Sequence, residues 1–76
     1  MEGVVLFFDR KRGYGFAAPA DQGGDVYIHA SQLPKDHRWL NEDDRVLFDV
    51  GPVTQNHRVA LRVQIITEVP QSGAQS

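Results

Sequence analysis

Apolar residues in this chain alternate or run in short blocks, broken roughly every eight to twelve residues by Gly, Asp, Pro or Asn. Nothing reads as a helix of useful length. That punctuation confines the chain to a small all-β fold, and five strands can be read from it. The first is Val4 to Phe8, after which Asp9 to Arg12 turn the chain. The second, Tyr14 to Ala18, ends at Pro19. Asp21-Gln22-Gly23-Gly24 is a loop signal with glycines available for positive φ, and Asp25 to His29 forms the third strand. Ala30 to Asp44 is a long connector. Its opening, Ala30-Ser31-Gln32-Leu33-Pro34, suits one short helical turn, and Trp39 and Leu40 are its expected anchors. Strand four is Arg45 to Val50, ended by Gly51-Pro52, and strand five runs from Arg58 to Thr67.

Five short antiparallel strands with a long connection after the third suit a closed or nearly closed barrel of the OB type. Closure also removes the exposed edges that a small sheet would otherwise present. The expected domain is 1–67, and 68–76 reads as a polar, flexible tail. At 76 residues the domain hides only about 60% of its unfolded surface, so its core must be economical. The expected inward set is Val5, Val26, Ile28, Val46 and Val63.

Composition removes several classes of function. Without cysteine there is no disulfide and no thiolate metal site. His29, His37 and His57 are too scattered for a zinc pattern, so neither metal nor cofactor is expected. The longest apolar run, Val4 to Phe8, is far short of a membrane span. No basic segment leads into a long apolar stretch, so a soluble, cytoplasmic protein is expected. Catalysis would need a nucleophile with its base, or paired carboxylates in a cleft. His29 and Ser31 lie close in sequence but not in catalytic geometry, and Glu42-Asp43-Asp44 reads as a solvated turn. No enzyme and no small-molecule substrate is expected.

The informative pattern lies in strands two and three. Residues i and i+2 share a face of a strand, so Tyr14 and Phe16 point one way and Gly15 and Ala17 the other. In strand three, Val26 and Ile28 form an apolar pair opposite Asp25, Tyr27 and His29. Burying the valine and isoleucine leaves Tyr27 and His29 outside. The reverse choice would bury Asp25 and His29 without partners, which is costly. If the two strands pair, Tyr14, Phe16, Tyr27 and His29 make one flat aromatic patch facing solvent, and such patches mark binding surfaces. Nucleobases are the natural partner, because every base has a face to stack. Gly13 and Gly15 would keep the backbone slim for a flat ring to approach. Arg10, Lys11 and Arg12 on the adjoining turn could meet phosphates. Net charge is −2, so phosphate contacts are not expected to dominate affinity.

Arg12-Gly13-Tyr14-Gly15-Phe16 resembles the first ribonucleoprotein motif of the cold-shock domain family, and Asp25-Val26-Tyr27-Ile28-His29 resembles the second. Gly3 to Phe8 is similar to that family's first strand, and Leu40 to Phe48 and Ala60 to Val63 extend the likeness over roughly residues 2 to 67. The resemblance implies a five-stranded OB-type barrel that binds single-stranded RNA or DNA and acts as an RNA chaperone or cold-shock-type regulator. It also shows departures. The family's lysine and tryptophan of strand one are here Leu6 and Phe7, where Phe7 still stacks with less area. Its phenylalanine after the second motif is Ala30. A loop aromatic falls near His37, where Trp39 is the substitute. Weaker or narrower binding by the same mode is implied.

The candidate nucleic-acid-binding residues are therefore Phe7, Lys11, Arg12, Tyr14, Phe16, Tyr27, His29, Trp39 and Arg58. Trp39 reads equally as a loop anchor over the barrel. His57 and Arg58 read as decorating a solvated turn, with Arg58 in reach of a phosphate. Phe7 is placed outward and Phe8 at the barrel rim. An RNA-recognition motif does not fit, since it reverses the order of the two motifs and needs two helices. The rival is a protein-interaction OB module with weakened nucleic-acid binding, suggested by Leu6, Ala30 and the acidic balance. The chain is expected as a monomer, with strand exchange as its route to a dimer.

Overall fold

The structure, a computed structural model, describes residues 1–66. Thr67 and the expected tail lie outside them. Five strands close in the order β1-β2-β3-β5-β4: β1 Glu2–Asp9, β2 Tyr14–Pro19, β3 Val26–His29, β4 Arg45–Thr54 and β5 His57–Ile66. One 3-10 turn, Ala30–Gln32, follows β3 where a single helical turn is expected. Four pairings are antiparallel, but β3 and β5 pair in parallel. An odd number of strands cannot alternate direction all the way around a closed ring. The purely antiparallel expectation therefore fails at the closing seam alone.

Alternation fills the barrel from its inner face. Val5, Val26, Ile28, Val46 and Val63 are all buried, as expected, and Ala17, Leu40, Phe48 and Ala60 complete the core. Of the two connector residues expected as anchors, Leu40 goes inside while Trp39 stays 40% exposed. No polar side chain is buried among the described residues, so the core carries no unpaired polar group.

Two irregularities set the shape of the outer face. The β1–β2 register shifts between Val5, opposite Ala17, and Phe7, opposite Phe16. Leu6 is the extra residue of this bulge. Without it, Val5 and Phe7 would share the inner face. With it, Val5 is buried, Phe7 turns outward and Phe8 packs against the core.

The second irregularity lies in β4, which does not end at Gly51-Pro52. The two residues form a bulge between Val50, opposite Ala60, and Val53, opposite Arg58. A bulge leaves residues unpaired, which suits a proline that lacks an N–H. The strand continues to Thr54, and a two-residue turn, Gln55-Asn56, returns it into β5. Both turn residues have positive φ, 52° and 71°, as the right-handed twist of a tight hairpin requires. β5 accordingly starts at His57, one residue earlier than expected.

The two glycines of the first motif are not used as expected. A Cβ on Gly15 would lie 2.3 Å from the Phe7 carbonyl oxygen and 2.9 Å from Phe8 Cα. The missing side chain lets β1 sit close against β2; it does not open the ligand face. Gly13 serves the turn, at φ +75°.

Candidate nucleic-acid interface

The β1–β2 turn is organised by Asp9. Its Oδ1 accepts the backbone N–H groups of Lys11 and Arg12 at 3.0 Å each, and its carbonyl accepts that of Gly13 at 2.8 Å. This local bonding, typical of Asp in turns, fixes where strand two begins. The Gly13 carbonyl then accepts the N–H of Ala30 at 2.8 Å, tying the turn to the end of β3. Tyr14 lies opposite His29 and Phe16 opposite Tyr27 in the β2–β3 register. Phe7 lies opposite Phe16 in β1–β2. Three adjacent strands thus bring Phe7, Tyr14, Phe16, Tyr27 and His29 onto one outer face, each partly or largely exposed.

The face is not flat. Ring centroids are 5.7–6.3 Å apart for Phe16 with Tyr27 and with Tyr14, at interplanar angles of 73° and 85°. Tyr14 and Tyr27 are nearly parallel, 22° at 5.9 Å, and Phe7 meets Tyr14 at 81°. The edge-to-face pairs break the plane because the positive edge of one ring is drawn to the negative face of another. The surface is corrugated, with corners between rings rather than a continuous tabletop.

His29 is oriented by the turn that follows it. Its Nδ1 accepts the backbone N–H of Ser31 at 3.1 Å and lies 2.9 Å from the Ser31 hydroxyl. An Nδ1 that accepts an N–H leaves the neutral ring's proton on Nε2. The ring stands 6.5 Å from Tyr27 at 31°.

A further ring belongs to this face. His57, expected on a solvated turn, packs 4.9 Å from Phe16 at 61°. The sequence signal for it is the spacing Thr54-Gln55-Asn56-His57, a two-residue hairpin once Gly51-Pro52 is read as a bulge.

The remaining candidates sit elsewhere. Trp39 makes no ring contact with the face; the Arg10 guanidinium lies over it, 4.1 Å from the ring centre. Arg12 projects into solvent with its Nε 3.9 Å from Asp9, and Lys11 is exposed on the same turn. Arg58 faces the β2–β3 loop, where it donates two bonds to Asp21 at 2.9 and 3.0 Å.

Those bonds, together with the N–H of Gly23, lower the Asp21 carboxyl from 3.8 to about 2. Because the folded value lies below the unfolded one, this contribution to stability is complete above 3.8 and is lost as pH falls through about 2. Denaturation of wild type and Asp21→Asn across that range should show their stability difference vanish at the acid end. A difference that persists unchanged below pH 2 would contradict the assignment.

Among the described residues, no group of His, Asp or Glu is arranged to hold a metal, and no helix is long and apolar enough to cross a membrane.

The model of the "Cold-shock" DNA-binding domain matches residues 1–66. The major cold shock protein of Micrococcus luteus is 42% identical over 53 residues, covering 66% of this chain and 79% of that protein. The cold shock-like protein CspB of Escherichia coli is 36% identical over 62 residues, 74% of this chain and 87% of its own length. Cold shock domain-containing protein 4 of Arabidopsis thaliana is 38% identical over 73 residues, which is 95% of this chain but 36% of that longer protein. The chain belongs to the cold-shock DNA-binding domain family, a family of nucleic-acid-binding domains.

Proposed function

We propose that this domain binds single-stranded RNA or DNA by stacking bases on the outer aromatic face, and acts as an RNA chaperone or cold-shock-type regulator. One observation carries the reading. Phe7, Tyr14, Phe16, Tyr27 and His29 share a solvent-facing surface while the barrel is filled entirely from the other side. A chain that only had to fold would have little use for so many rings there. Each stacked base is worth about 1–3 kcal/mol, with little regard to its identity. Titration of a labelled pyrimidine-rich single strand, against the same sequence as a duplex, tests the proposal. Binding of the single strand in clear preference to the duplex is expected; equal binding, or none, would overturn it.

Charge plays the smaller part. Arg10 is engaged with Trp39, Arg58 with Asp21, and Arg12 stands near Asp9. Few phosphates are neutralised, and each contributes about −0.7 to the slope of log affinity against log salt. The slope should therefore be shallow. A value implying about six contacts or more would show that phosphates dominate.

A second reading, a protein-interaction module, draws on the acidic balance and on apolar residues outside the aromatic face. Leu6 is 44% and Val53 68% exposed. Failure of the single-strand titration would favour it.

A further inference from the structure

The β4–β5 hairpin forms a wall beside the aromatic face. β5 pairs with β3 only at Arg58, opposite Val26, and Val59, opposite Tyr27. The hairpin residues before Arg58 therefore run past the start of β3 without a partner strand there. Two contacts hold them in place: His57 against Phe16, and Arg58 clasped to Asp21 in the β2–β3 loop. Between wall and face lies an open cleft of about 540 Å³, with Tyr14, Phe16 and Tyr27 on one side and Thr54, Gln55 and His57 on the other.

We propose that this cleft takes a single nucleobase of the bound strand and that Gln55 reads its edge, an inference that rests on the proposed stacking function. Phe16 and His57 meet at 61°, so a base lying against one ring turns an edge toward the other. Rings stack on every base, and stacking strength by itself gives only modest preferences among them. Discrimination falls to polar groups beside the rings, and Gln55 and Thr54 are placed there. A carboxamide carries a donor and an acceptor side by side, matching the paired donors and acceptors on base edges.

The backbone supplies a second observation. Gln55 sits at φ 52° in a turn that favours Gly, Asn or Asp. Asn56 beside it follows that preference and Gln55 does not. A long amide is held, against local preference, at a position lining the cleft.

The test compares wild type, Gln55→Gly and Gln55→Glu in titrations with short single-stranded homo-oligomers of A, C and U. Glycine suits the positive φ, so Gln55→Gly should melt no lower than wild type. It should weaken the preferred oligomer by about three- to tenfold, the scale of one neutral hydrogen bond, and bring the others closer to it. Gln55→Glu, which replaces the donor with an acceptor, should change the order of preference. If wild type shows no preference, or both variants keep every affinity and the order, the cleft reading is overturned and stacking stands. If wild type binds none of the oligomers, the stacking proposal falls and this one with it.

Discussion

Replacing Phe16 with alanine should weaken single-strand binding by about 1–3 kcal/mol, the value of one base–aromatic stack, with little dependence on salt. Phe16 is the hub of the face, in ring contact with Phe7, Tyr14, Tyr27 and His57. The domain should stay folded, because Phe16 lies on the outer surface while the buried residues fill the other side of the sheet. Arg12→Ala is the control. Its side chain is largely exposed and 3.9 Å from Asp9, so its loss should cost less and fade as salt rises. Fluorescence titrations at several salt concentrations, with circular dichroism to measure the folded fraction, separate the two effects. If Phe16→Ala unfolds the domain while the folded fraction binds as before, Phe16 is a structural residue and the stacking account loses its centre.

The largest effect on stability is expected one residue earlier. Gly15→Ala puts a Cβ 2.3 Å from the Phe7 carbonyl oxygen and 2.8 Å from Phe8 Cδ2. A flexible side chain would yield, but the nearest obstacle is the backbone of the paired strand, with Phe8 facing Gly15 in the register. β1 must shift away from β2. Overpacking commonly costs about 1–3 kcal/mol, and a backbone obstacle belongs at the upper end or beyond. A chain of 76 residues has only about 4–11 kcal/mol in total. Thermal melting should fall by roughly 12–24 °C for a loss of about 3 kcal/mol. A melting point within a few degrees of wild type would show that the strands separate without strain.

The contrast between these neighbours shows what could be read from the chain alone. Strict alternation in Val26-Tyr27-Ile28-His29 and Gly13-Tyr14-Gly15-Phe16 identifies the outer face, because each side chain's direction follows from its position in the strand. The same rule identifies Val5, Val46 and Val63 as core. It stops where a strand breaks its own period. Val5 is read inward and Phe7 outward, as they lie, but strict alternation alone does not allow both; the Leu6 bulge reconciles them, and a single residue's insertion leaves no mark in the local pattern. Gly51-Pro52 carries every sign of a stop, yet the paired strand carries β4 past it. The Asp21–Arg58 clasp joins residues 37 apart in sequence, so no local spacing announces it. The purpose of Gly15 was likewise hidden, since the atoms that require it belong to the neighbouring strand. Ring tilt, finally, is a property of several side chains together, which strand alternation does not encode.

The central claim is that the strand lies on the aromatic face, and nuclear magnetic resonance titration of the ring and methyl groups with a short pyrimidine-rich single strand tests it most directly. Stacked bases shift the resonances of the rings they cover. The largest changes should fall on Phe7, Tyr14, Phe16, Tyr27 and His29, while Leu47, Val50 and Val53, exposed on β4, should barely move. Changes centred on those β4 residues, or confined to the turn carrying Lys11 and Arg12 with the rings unmoved, would contradict the account.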